Sequence, residues 1–284
     1  MYLVYMLIAG WLFFIFCYLN NNLLTVSKYK VCINDINPFR IVQISDLHGK
    51  QFGRENRILF KRIKSLNPDI ICITGDLLDS RGDNFKETLG FAAKLQELCP
   101  VVYIFGNHEN RGVLKAAVRT VLSENGVPVL ANDIFETDIK GNHLVFLGLN
   151  EGLGTEKSYY KKRRKGDFIY KDNSAYFHLM DNCSGMKIVL SHFPETFDTQ
   201  YGYSYKYYNY DLQLSGHAHG GQFIFPLFGG VYAPGQGIRP RFYKGLYGSR
   251  PYLVVSRGLG SSSFPLRLFN PPDIVVVDVE KEKI

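Results

Sequence analysis

The sequence lacks paired cysteines, which argues against a disulfide-rich exported domain. Its 284 residues include five cysteines, an odd number, and no two of them have the CxxC spacing or another paired spacing. Disulfide frameworks of small secreted proteins use even numbers of cysteines at regular spacings. Cys17 and Cys72 lie inside apolar runs, where we expect them to be small buried side chains.

Charged residues are absent before Lys28, and residues 3–19 are almost wholly apolar. A helix needs roughly 20 apolar residues to cross a bilayer core. A cleaved signal peptide needs a basic start and small residues at its cleavage site, and the chain has neither. We therefore expect an uncleaved single-pass anchor at residues 1–22. Lys28 and Lys30 follow it and favour the cytoplasmic face for the remaining domain, residues 23–284.

Internal repeats and a second linker are also absent, so we expect one domain after the anchor. Hydrophobic residues make up 46% of the chain and aromatic residues 14%. These fractions suffice for a large core and exclude global disorder. The formal net charge of +7 and the isoelectric point of about 9.0 indicate an anionic partner. Nucleic acid, a phosphorylated substrate and an acidic membrane face all fit that charge.

Short apolar runs alternate with amphipathic segments in the first half of the chain. Strands are predicted at residues 30–33, 40–44, 69–74 and 101–105. Between them, apolar residues recur at helical spacing, as at Leu59, Ile63 and Leu66. This alternation predicts parallel strands with helices packed on them.

The second half has a different pattern, with little helical periodicity between its predicted strands. These strands lie at residues 143–149, 187–190, 212–214, 252–255 and 274–279. They predict a second sheet packed against the first. The expected fold class is therefore α/β (α+β), a four-layer α-β-β-α sandwich with two mixed β-sheets, preceded by one N-terminal transmembrane helix.

Two polar inserts interrupt the second half. Residues 161–165 are five consecutive basic residues, which form either a solvated loop or a contact with anionic lipid headgroups. Residues 201–210 contain six tyrosines among small and polar residues. We expect this second insert to be a flexible flap beside the functional site.

Acidic residues, histidines and an asparagine follow directly after the predicted strands of the first half. They form a DxH pair, a GDxxD motif and a GNHE motif, which contribute Asp46 and His48, Asp76 and Asp79, and Asn107 and His108. The carboxyl ends of parallel strands meet at one edge of a sheet, where ligands bind. We therefore expect these side chains to lie close together.

Three further histidines complete the candidate set: His192, and the pair His217 and His219 between glycines. In an extended segment residues i and i+2 point the same way, so the pair can converge on one ligand. A mixture of carboxylate, imidazole and amide ligands suits Mn²⁺, Fe²⁺ or Zn²⁺, whereas an all-oxygen magnesium site would not need so many histidines. Seven potential ligands exceed what one ion needs, which predicts two divalent metal ions sharing a carboxylate.

The order of these motifs resembles the calcineurin-like metallophosphoesterase superfamily over about residues 40–278. The resemblance implies hydrolysis of a phosphodiester or pyrophosphate bond by a hydroxide that bridges two metal ions. The implied ligands are Asp46, His48 and His219 for the first ion, Asn107, His192 and His217 for the second, and Asp76 as the bridge. His108 would act on the leaving group as general acid or electrostatic stabiliser, and Asp79 would orient His108.

The end of the chain resembles a bacterial membrane-associated subfamily that includes UDP-2,3-diacylglucosamine pyrophosphatases. The shared segments are GHxHGGQ at residues 216–222 and SRGLG at residues 256–260, followed by Arg267-Leu268-Phe269. Together with the anchor, this resemblance implies a lipid-linked or nucleotide–lipid substrate at the membrane and argues against nucleic acid as the partner.

Two alternatives stay open. A phosphodiesterase or nuclease acting on a soluble substrate would share all the chemistry, and a non-catalytic metal-binding scaffold would share the fold. The scaffold is disfavoured because every expected ligand is present. Arg239, Arg257 and Arg267 are candidates for neutralising further phosphate charge. The turn at Asn150 and Glu151, where relatives have an aspartate pair, is a candidate determinant of specificity.

Overall fold

The computed structural model describes residues 2–80, 82–110, 114–151, 172–199, 204–261 and 265–282. The apolar N-terminal segment is one helix, α1 (Tyr2–Asn22), in which only Cys17 is buried. At 1.5 Å per residue α1 extends about 30 Å, the thickness of the hydrocarbon core of a bilayer. By length and composition it is a candidate membrane span.

After α1, short strands and helices alternate along the chain. In chain order they are β1 (Thr25–Ile33), β2 (Phe39–Ile44), α2 (Arg57–Lys64), β3 (Ile70–Thr74), α3 (Phe85–Lys94), β4 (Val101–Ile104), α4 (Asn107–Asn110), α5 (Leu114–Glu124), β5 (Val129–Leu130), β6 (Asp133–Ile139), β7 (Asn142–Gly148), α6 (Ser174–Asp181), β8 (Met186–Leu190), β9 (Leu212–Ser215), β10 (Ile224–Phe225), β11 (Gly229–Gly230), β12 (Tyr232–Ala233), β13 (Gly237–Ile238), β14 (Gly245–Tyr247), β15 (Tyr252–Val255) and β16 (Asp273–Lys281). The strands predicted in the first half correspond to β1 to β4.

Two six-stranded sheets form the centre of the fold. The strand order is β1-β16-β2-β3-β4-β5 in the first sheet and β14-β15-β9-β8-β7-β6 in the second. Strands β2 to β5 are parallel to one another, whereas β16 is antiparallel to β2. In the second sheet the β6–β7 and β14–β15 pairs are antiparallel and the other pairs are parallel. Both sheets are therefore mixed, as predicted.

Strand β16 lies in the first sheet, so its predicted membership of the second sheet is wrong. Its side chains alternate between two buried faces: Ile274 and Val276 pack under the helices, and Val275 faces the second sheet. A strand buried on both faces is apolar throughout, whichever sheet it joins. Its neighbour is remote in sequence, since Arg40 on β2 and Asp278 on β16 form an ion pair at 2.7 Å across 238 positions. Local patterning carries no information on such a pairing.

Three buried clusters join four layers. Ile63 of α2 and Ile73 of β3 belong to the cluster between the helices and the outer face of the first sheet. The opposite face meets the second sheet, with Ile70 and Phe146 in one cluster. The outer face of the second sheet is covered by α6 through Phe177. The order α-β-β-α is confirmed, and each fully buried side chain of this kind contributes roughly 1.5–3 kcal/mol to stability.

Helix α6 and strand β6 are elements that the sequence patterns do not predict. Helix α6 has eight residues and buries only Phe177 and Met180, which is too few apolar positions for helical periodicity to be visible. Strand β6 pairs with β7 at the edge of the second sheet and is largely solvent-facing. The basic insert at residues 161–165 lies outside the described residues.

The described part of the tyrosine-rich insert, residues 204–210, is packed against the rest of the protein and does not form a flap. Residues 201–203 lie outside the described residues, whereas Tyr205 and Tyr210 are buried. Tyr208 stacks on Phe177 with a ring-centroid distance of 4.2 Å. For these residues the predicted flexible flap is wrong, because α6 offers an aromatic side chain against which the tyrosine rings pack.

Candidate metal centre

The residues predicted to form a site meet at one edge of the two sheets. The loops after β2, β3 and β4 in the first sheet and after β8 and β9 in the second carry them. Within each of three groups, the potential ligand atoms lie within 4.8 Å of one another. The groups are Asp46, His48 and His219; Asp76, His192 and His217; and, overlapping both, His48, Asp76 and His108.

The first group combines side chains from both sheets. The Nε2 atom of His48 lies 3.3 Å from Nε2 of His219, and Nε2 of His219 lies 3.6 Å from Oδ1 of Asp46. The Asp46 carboxylate also accepts the backbone N–H of His217, 3.0 Å from Oδ1. This hydrogen bond joins the loop after β2 to the loop after β9 and orients Asp46 towards the two imidazoles.

The second group centres on Asp76. Its Oδ2 lies 3.3 Å from Nε2 of His192 and 3.9 Å from Nε2 of His48, so this carboxylate stands between the two groups. The Nδ1 atom of His192 donates to the Thr74 carbonyl at 2.7 Å. That bond fixes the ring and turns Nε2 towards the carboxylate. The ring of His217 packs edge-on against the ring of His192, with centroids 5.0 Å apart.

His108 lies beside both groups. Its ring is edge-on to that of His48, with centroids 4.7 Å apart, and its backbone N–H donates to Oδ1 of Asp76 at 2.7 Å. The backbone N–H of Ser80 donates to Nδ1 of His108 at 3.2 Å. Because Nδ1 accepts this bond, a neutral His108 ring carries its proton on Nε2. Asp79, which was predicted to orient His108, is buried and immediately precedes Ser80 in the same turn.

The turn after β4 holds Asn107 and Glu109, both of them buried. The Glu109 carboxylate accepts three backbone N–H groups, those of Asp76 and Leu78 at 3.0 Å and of Gly106 at 2.8 Å. One side chain therefore fixes the loops after β3 and β4 relative to each other. The sequence pattern predicts no role for Glu109, and its only signal is the place of this residue at the end of the GNHE motif.

The backbone is strained at five positions of the site. Asp46, His48, Asp76, His217 and His219 have φ angles between 47° and 63°. Non-glycine residues rarely adopt this left-handed conformation, and such residues cluster at functional sites. The extended conformation predicted for the two neighbouring histidines is therefore wrong. The chain turns at each of them. Their imidazoles therefore enter the two different groups to which the resemblance assigns them, rather than converging on one ligand as an extended segment would allow.

Burial and mutual proximity shift the pKa values of these groups. Burial raises the pKa of Asp46 to about 6 and lowers the pKa of His48 to about 4. For Asp76, burial would raise the pKa, but the charge and hydrogen bond of His192, together with His108 and His48, outweigh burial and hold the pKa well below its usual value. Burial likewise opposes charge on His192, but Asp76 raises its pKa to about 10. A proton on His192 compensates Asp76, and a divalent ion bound between them would replace that proton.

The SRGLG segment and Arg267 support the Asp46 loop from behind. The backbone N–H of Gly260 donates to the Asp46 carbonyl at 2.6 Å. Arg267 is buried and its Nε donates to the Gly260 carbonyl at 3.0 Å, and burial lowers the pKa of Arg267 to about 10. Arg257 forms an ion pair with Asp273 at 3.1 Å. Both arginines thus bind the protein itself, and the structure does not support their predicted contact with phosphate.

Glu151 lies behind the loop that carries His192. Its side chain is buried, and its Oε1 accepts hydrogen bonds from Ser191 Oγ at 2.5 Å and from the Tyr205 hydroxyl at 3.3 Å. Burial raises the pKa of Glu151 to about 7. The turn predicted to influence specificity therefore contacts the residue that precedes His192.

The donor set fits divalent transition metals. Imidazole nitrogens and carboxylate oxygens converge at a buried position, and Mn²⁺, Fe²⁺ and Zn²⁺ prefer such ligands. The Nε2 atoms of His48 and His219 lie 3.3 Å apart, and Nε2 of His219 lies 3.6 Å from Oδ1 of Asp46. A cation bound among these three atoms would give both buried nitrogens a partner. The group that contains Asp46 and the group that contains His192 could each hold one ion, with Asp76 between the two ions.

Comparison with known proteins places these observations in a family. A family model described as calcineurin-like phosphoesterase matches residues 39–221. An uncharacterized metallophosphoesterase of Campylobacter jejuni is 27% identical over 278 residues, which cover 95% of this chain and 68% of that protein. A phosphodiesterase of Escherichia coli is 26% identical over 249 residues, 85% and 82% of the two chains. A bovine transmembrane protein with a metallophosphoesterase domain is 26% identical over 251 residues, 84% and 52% of the two chains.

Proposed function

The chain belongs to the calcineurin-like phosphoesterase family, and from that premise we propose that it hydrolyses a phosphodiester or pyrophosphate bond in a lipid-linked substrate. The protein is a metallophosphoesterase, and members of this family use a dinuclear metal site. The observation that carries the catalytic proposal is the position of Asp76, whose carboxylate stands between two groups of convergent ligand atoms.

The residues proposed to hold two divalent ions, Mn²⁺, Fe²⁺ or Zn²⁺, divide as the two groups do. Asp46, His48 and His219 would hold the first ion, and His192 and His217 the second, with Asp76 shared. The resemblance adds the buried Asn107 to the ligands of the second ion. Bound together, two such ions supply a nucleophile at neutral pH and stabilise charge on the phosphoryl oxygens. The hydrogen bonds to Thr74 and Glu109 keep the ligand loops in place before substrate arrives.

His108 is proposed as the residue that protonates or stabilises the leaving oxygen. Its Nδ1 accepts the Ser80 N–H, so the neutral ring presents a donor at Nε2. Asp79 is proposed to keep this turn in place. The Asp76 carboxylate accepts the backbone N–H of His108, so the residue that joins the two groups also positions His108.

A membrane location supports a lipid-linked substrate. The Lys50 ammonium donates to the carbonyl of Asn21 at the end of α1, and Lys50 is only two residues beyond His48. An apolar helix of membrane-spanning length therefore ends beside a loop of the site. The lysines at positions 28 and 30 favour the cytoplasmic face for the catalytic domain, residues 23–284. Among lipid-linked substrates, UDP-2,3-diacylglucosamine is the first to test.

A soluble phosphodiester is the second candidate, since the Escherichia coli relative is named a phosphodiesterase. The full chain, reconstituted in phosphatidylcholine vesicles with Mn²⁺, would be given UDP-2,3-diacylglucosamine in the vesicle and, separately, bis(p-nitrophenyl) phosphate, a cyclic nucleotide and single-stranded DNA in solution. The Asp76→Asn variant controls for contaminating hydrolases. We expect kcat/KM to be highest for the lipidic substrate. A higher value for a soluble substrate would contradict the lipid proposal and leave the phosphoesterase standing.

A further inference from the structure

Apolar exposure outside the N-terminal segment is concentrated in one region of the chain. Beyond residue 23, ten large apolar side chains are exposed among the described residues, and seven of these lie between residues 225 and 269. Isolated exposed apolar residues are common on soluble proteins, but a concentrated patch marks an interaction site. Leu227 is fully exposed at the turn between β10 and β11.

Five of these side chains, Phe225, Leu227, Phe228, Ile238 and Phe269, define what we call the 225–269 apolar surface. The ring centroids of Phe225 and Phe269 lie 6.2 Å apart, and the backbone N–H of Phe228 donates to the Phe225 carbonyl at 3.2 Å. The members come from the β10–β11 hairpin, from β13 and from the loop before β16. Phe225, Phe228 and Phe269 are therefore neighbours in space, with Leu227 at the hairpin turn. Ile238 joins them through the next residue, Arg239, which lies against the Phe228 ring.

The 225–269 apolar surface is continuous with the candidate membrane span. Phe16 of α1 packs against Phe269, with ring centroids 5.1 Å apart. Other side chains of α1 nearby, such as Phe13 and Leu19, are exposed. A bilayer that surrounds α1 would also reach the side chains beside Phe269. This continuity identifies lipid, rather than a soluble protein, as the occupant of the surface.

The same surface adjoins the candidate metal centre. The loop that carries His219 runs directly into β10, and the side chain of Asn270 donates to the His219 carbonyl at 2.7 Å. The residue after Phe269 is thus bonded to the loop that holds a proposed ligand. Any movement of the apolar surface relative to a bilayer would carry this loop with it.

A basic side chain lies at the margin of the surface. Arg239 is exposed, and its guanidinium carbon lies 4.4 Å from the ring centroid of Phe228. Interfacial segments commonly combine apolar side chains that enter the acyl region with Arg or Lys that contact anionic headgroups. The pairing of Arg239 with Phe228 fits a phospholipid interface.

We propose that the 225–269 apolar surface inserts into the headgroup–acyl boundary of the bilayer and holds the metal centre facing the membrane. The inference shares one premise with the proposed function, namely that α1 lies in the bilayer. It does not depend on which substrate is hydrolysed. Two points of attachment, α1 and the hairpin, fix the orientation of the domain. A phosphate attached to a lipid then meets the site without leaving the membrane surface.

The test uses quenching of tryptophan fluorescence by lipids with dibrominated acyl chains. The chain has one tryptophan, Trp11 in α1, so Trp11→Phe provides a silent background and the unsubstituted chain a positive control. In that background, Leu227→Trp reports on the apolar surface. Leu179→Trp reports on another exposed apolar position, in α6 on the outer face of the second sheet. Each full-length variant is reconstituted in phosphatidylcholine–phosphatidylglycerol vesicles.

We expect brominated lipid to quench Trp11 and the Leu227→Trp variant and to leave the Leu179→Trp variant unquenched. Quenching of Trp11 without quenching at position 227 would overturn the proposal, and would indicate that a protein or solvent covers the surface. Loss of quenching at both positions would overturn the membrane span as well. Because no substrate is present, the result does not depend on whether the enzyme hydrolyses a lipid, so the two proposals fail separately.

Discussion

The Nε2 atoms of His48 and His219 lie 3.3 Å apart, although 171 positions separate the two residues. Both imidazoles are buried, and burial lowers the pKa of each, so neither readily carries the proton that would join them. A cation held by the two nitrogens and Asp46 would provide the missing charge. Because of this contact, we expect a bound ion to increase the stability of the fold, and we expect the folded chain to bind the ion more tightly than the unfolded chain.

Metal binding should stabilise the chain through these two histidines. At Mn²⁺ concentrations about 100-fold above the dissociation constant, the free energy of unfolding should rise by about 2.7 kcal/mol per site. His219→Ala should lose much of this rise, because it removes a ligand from the first ion. Thermal melting with Mn²⁺ and with chelator measures the effect. His143→Ala, at an exposed histidine that pairs with Glu136 and Asp138, should retain the full rise, and an equal rise in both variants would contradict the assignment.

Replacing His108 by asparagine should lower kcat without releasing metal. The imidazole beside Asp76 is not one of the proposed ligands, and a positioned acid contributes roughly 10²–10⁴-fold to rate. The measurement is kcat together with metal content after gel filtration. His178→Asn, at an exposed histidine of α6, is the matched control. A His108→Asn protein that has lost an ion would instead place His108 among the ligands.

Removing the Glu109 carboxylate should destabilise the fold. Glu109→Ala leaves three buried N–H groups without an acceptor, each costing about 1–3 kcal/mol, so the loss should be at least ~3 kcal/mol. The Tyr103 hydroxyl also donates to Glu109, at 3.0 Å, and Tyr103→Phe removes only that one bond. We expect Tyr103→Phe to cost about 0.5–1.5 kcal/mol. Urea unfolding measures both, and equal costs would refute the bracing role of Glu109.

The parts of the fold predicted correctly are those whose signal is local. Ile63 on α2 and Ile73 on β3 lie in apolar patterns of the right period, and both are buried where the pattern places them. The motif residues follow strands β2, β3 and β4, and parallel strands bring their carboxyl ends together wherever the sheet forms. Asp46 and Asp76 could therefore be placed at one edge before any contact was known.

The errors concern pairing and backbone conformation, which local patterns do not encode. The apolar run from Ile274 to Val277 predicts a buried strand but does not indicate which of the two sheets contains it. The strands that pair with this run are remote in sequence. The positive φ angles at His217 and His219 are uncommon for residues other than glycine, so a sequence pattern alone does not predict them. The role of Glu109 depends on the three N–H groups that tertiary structure brings to it.

Stability of the metal-free chain should fall as the pH rises through the titration of Glu151. Its pKa is about 7 when folded, above the ordinary value of about 4.3. Between these two pKa values the folded state binds more protons than the unfolded state. The contribution of Glu151 to the free energy of unfolding is therefore complete below about pH 4.3 and is lost as the pH rises towards about 7. The loss is on the order of 3 kcal/mol.

Glu151→Gln keeps an oxygen that accepts the Ser191 hydroxyl and removes the charge. We expect the variant to lose less unfolding free energy than the parent chain between about pH 5 and about pH 8. Other buried carboxyls, such as Glu109, titrate in both proteins and cancel in the comparison. Urea unfolding in chelator at several pH values is the measurement. Parallel pH profiles would show that Glu151 is not the responsible group.

The number of divalent ions bound per chain tests the central claim most directly. The full-length protein would be stripped with chelator and titrated with Mn²⁺, with bound metal and hydrolysis of bis(p-nitrophenyl) phosphate followed together, beside Asp76→Asn. We expect about two ions per chain, turnover that requires both, and loss of tight binding and turnover in the variant. Turnover by a protein free of metal, or a chain that binds no divalent ion, would contradict it.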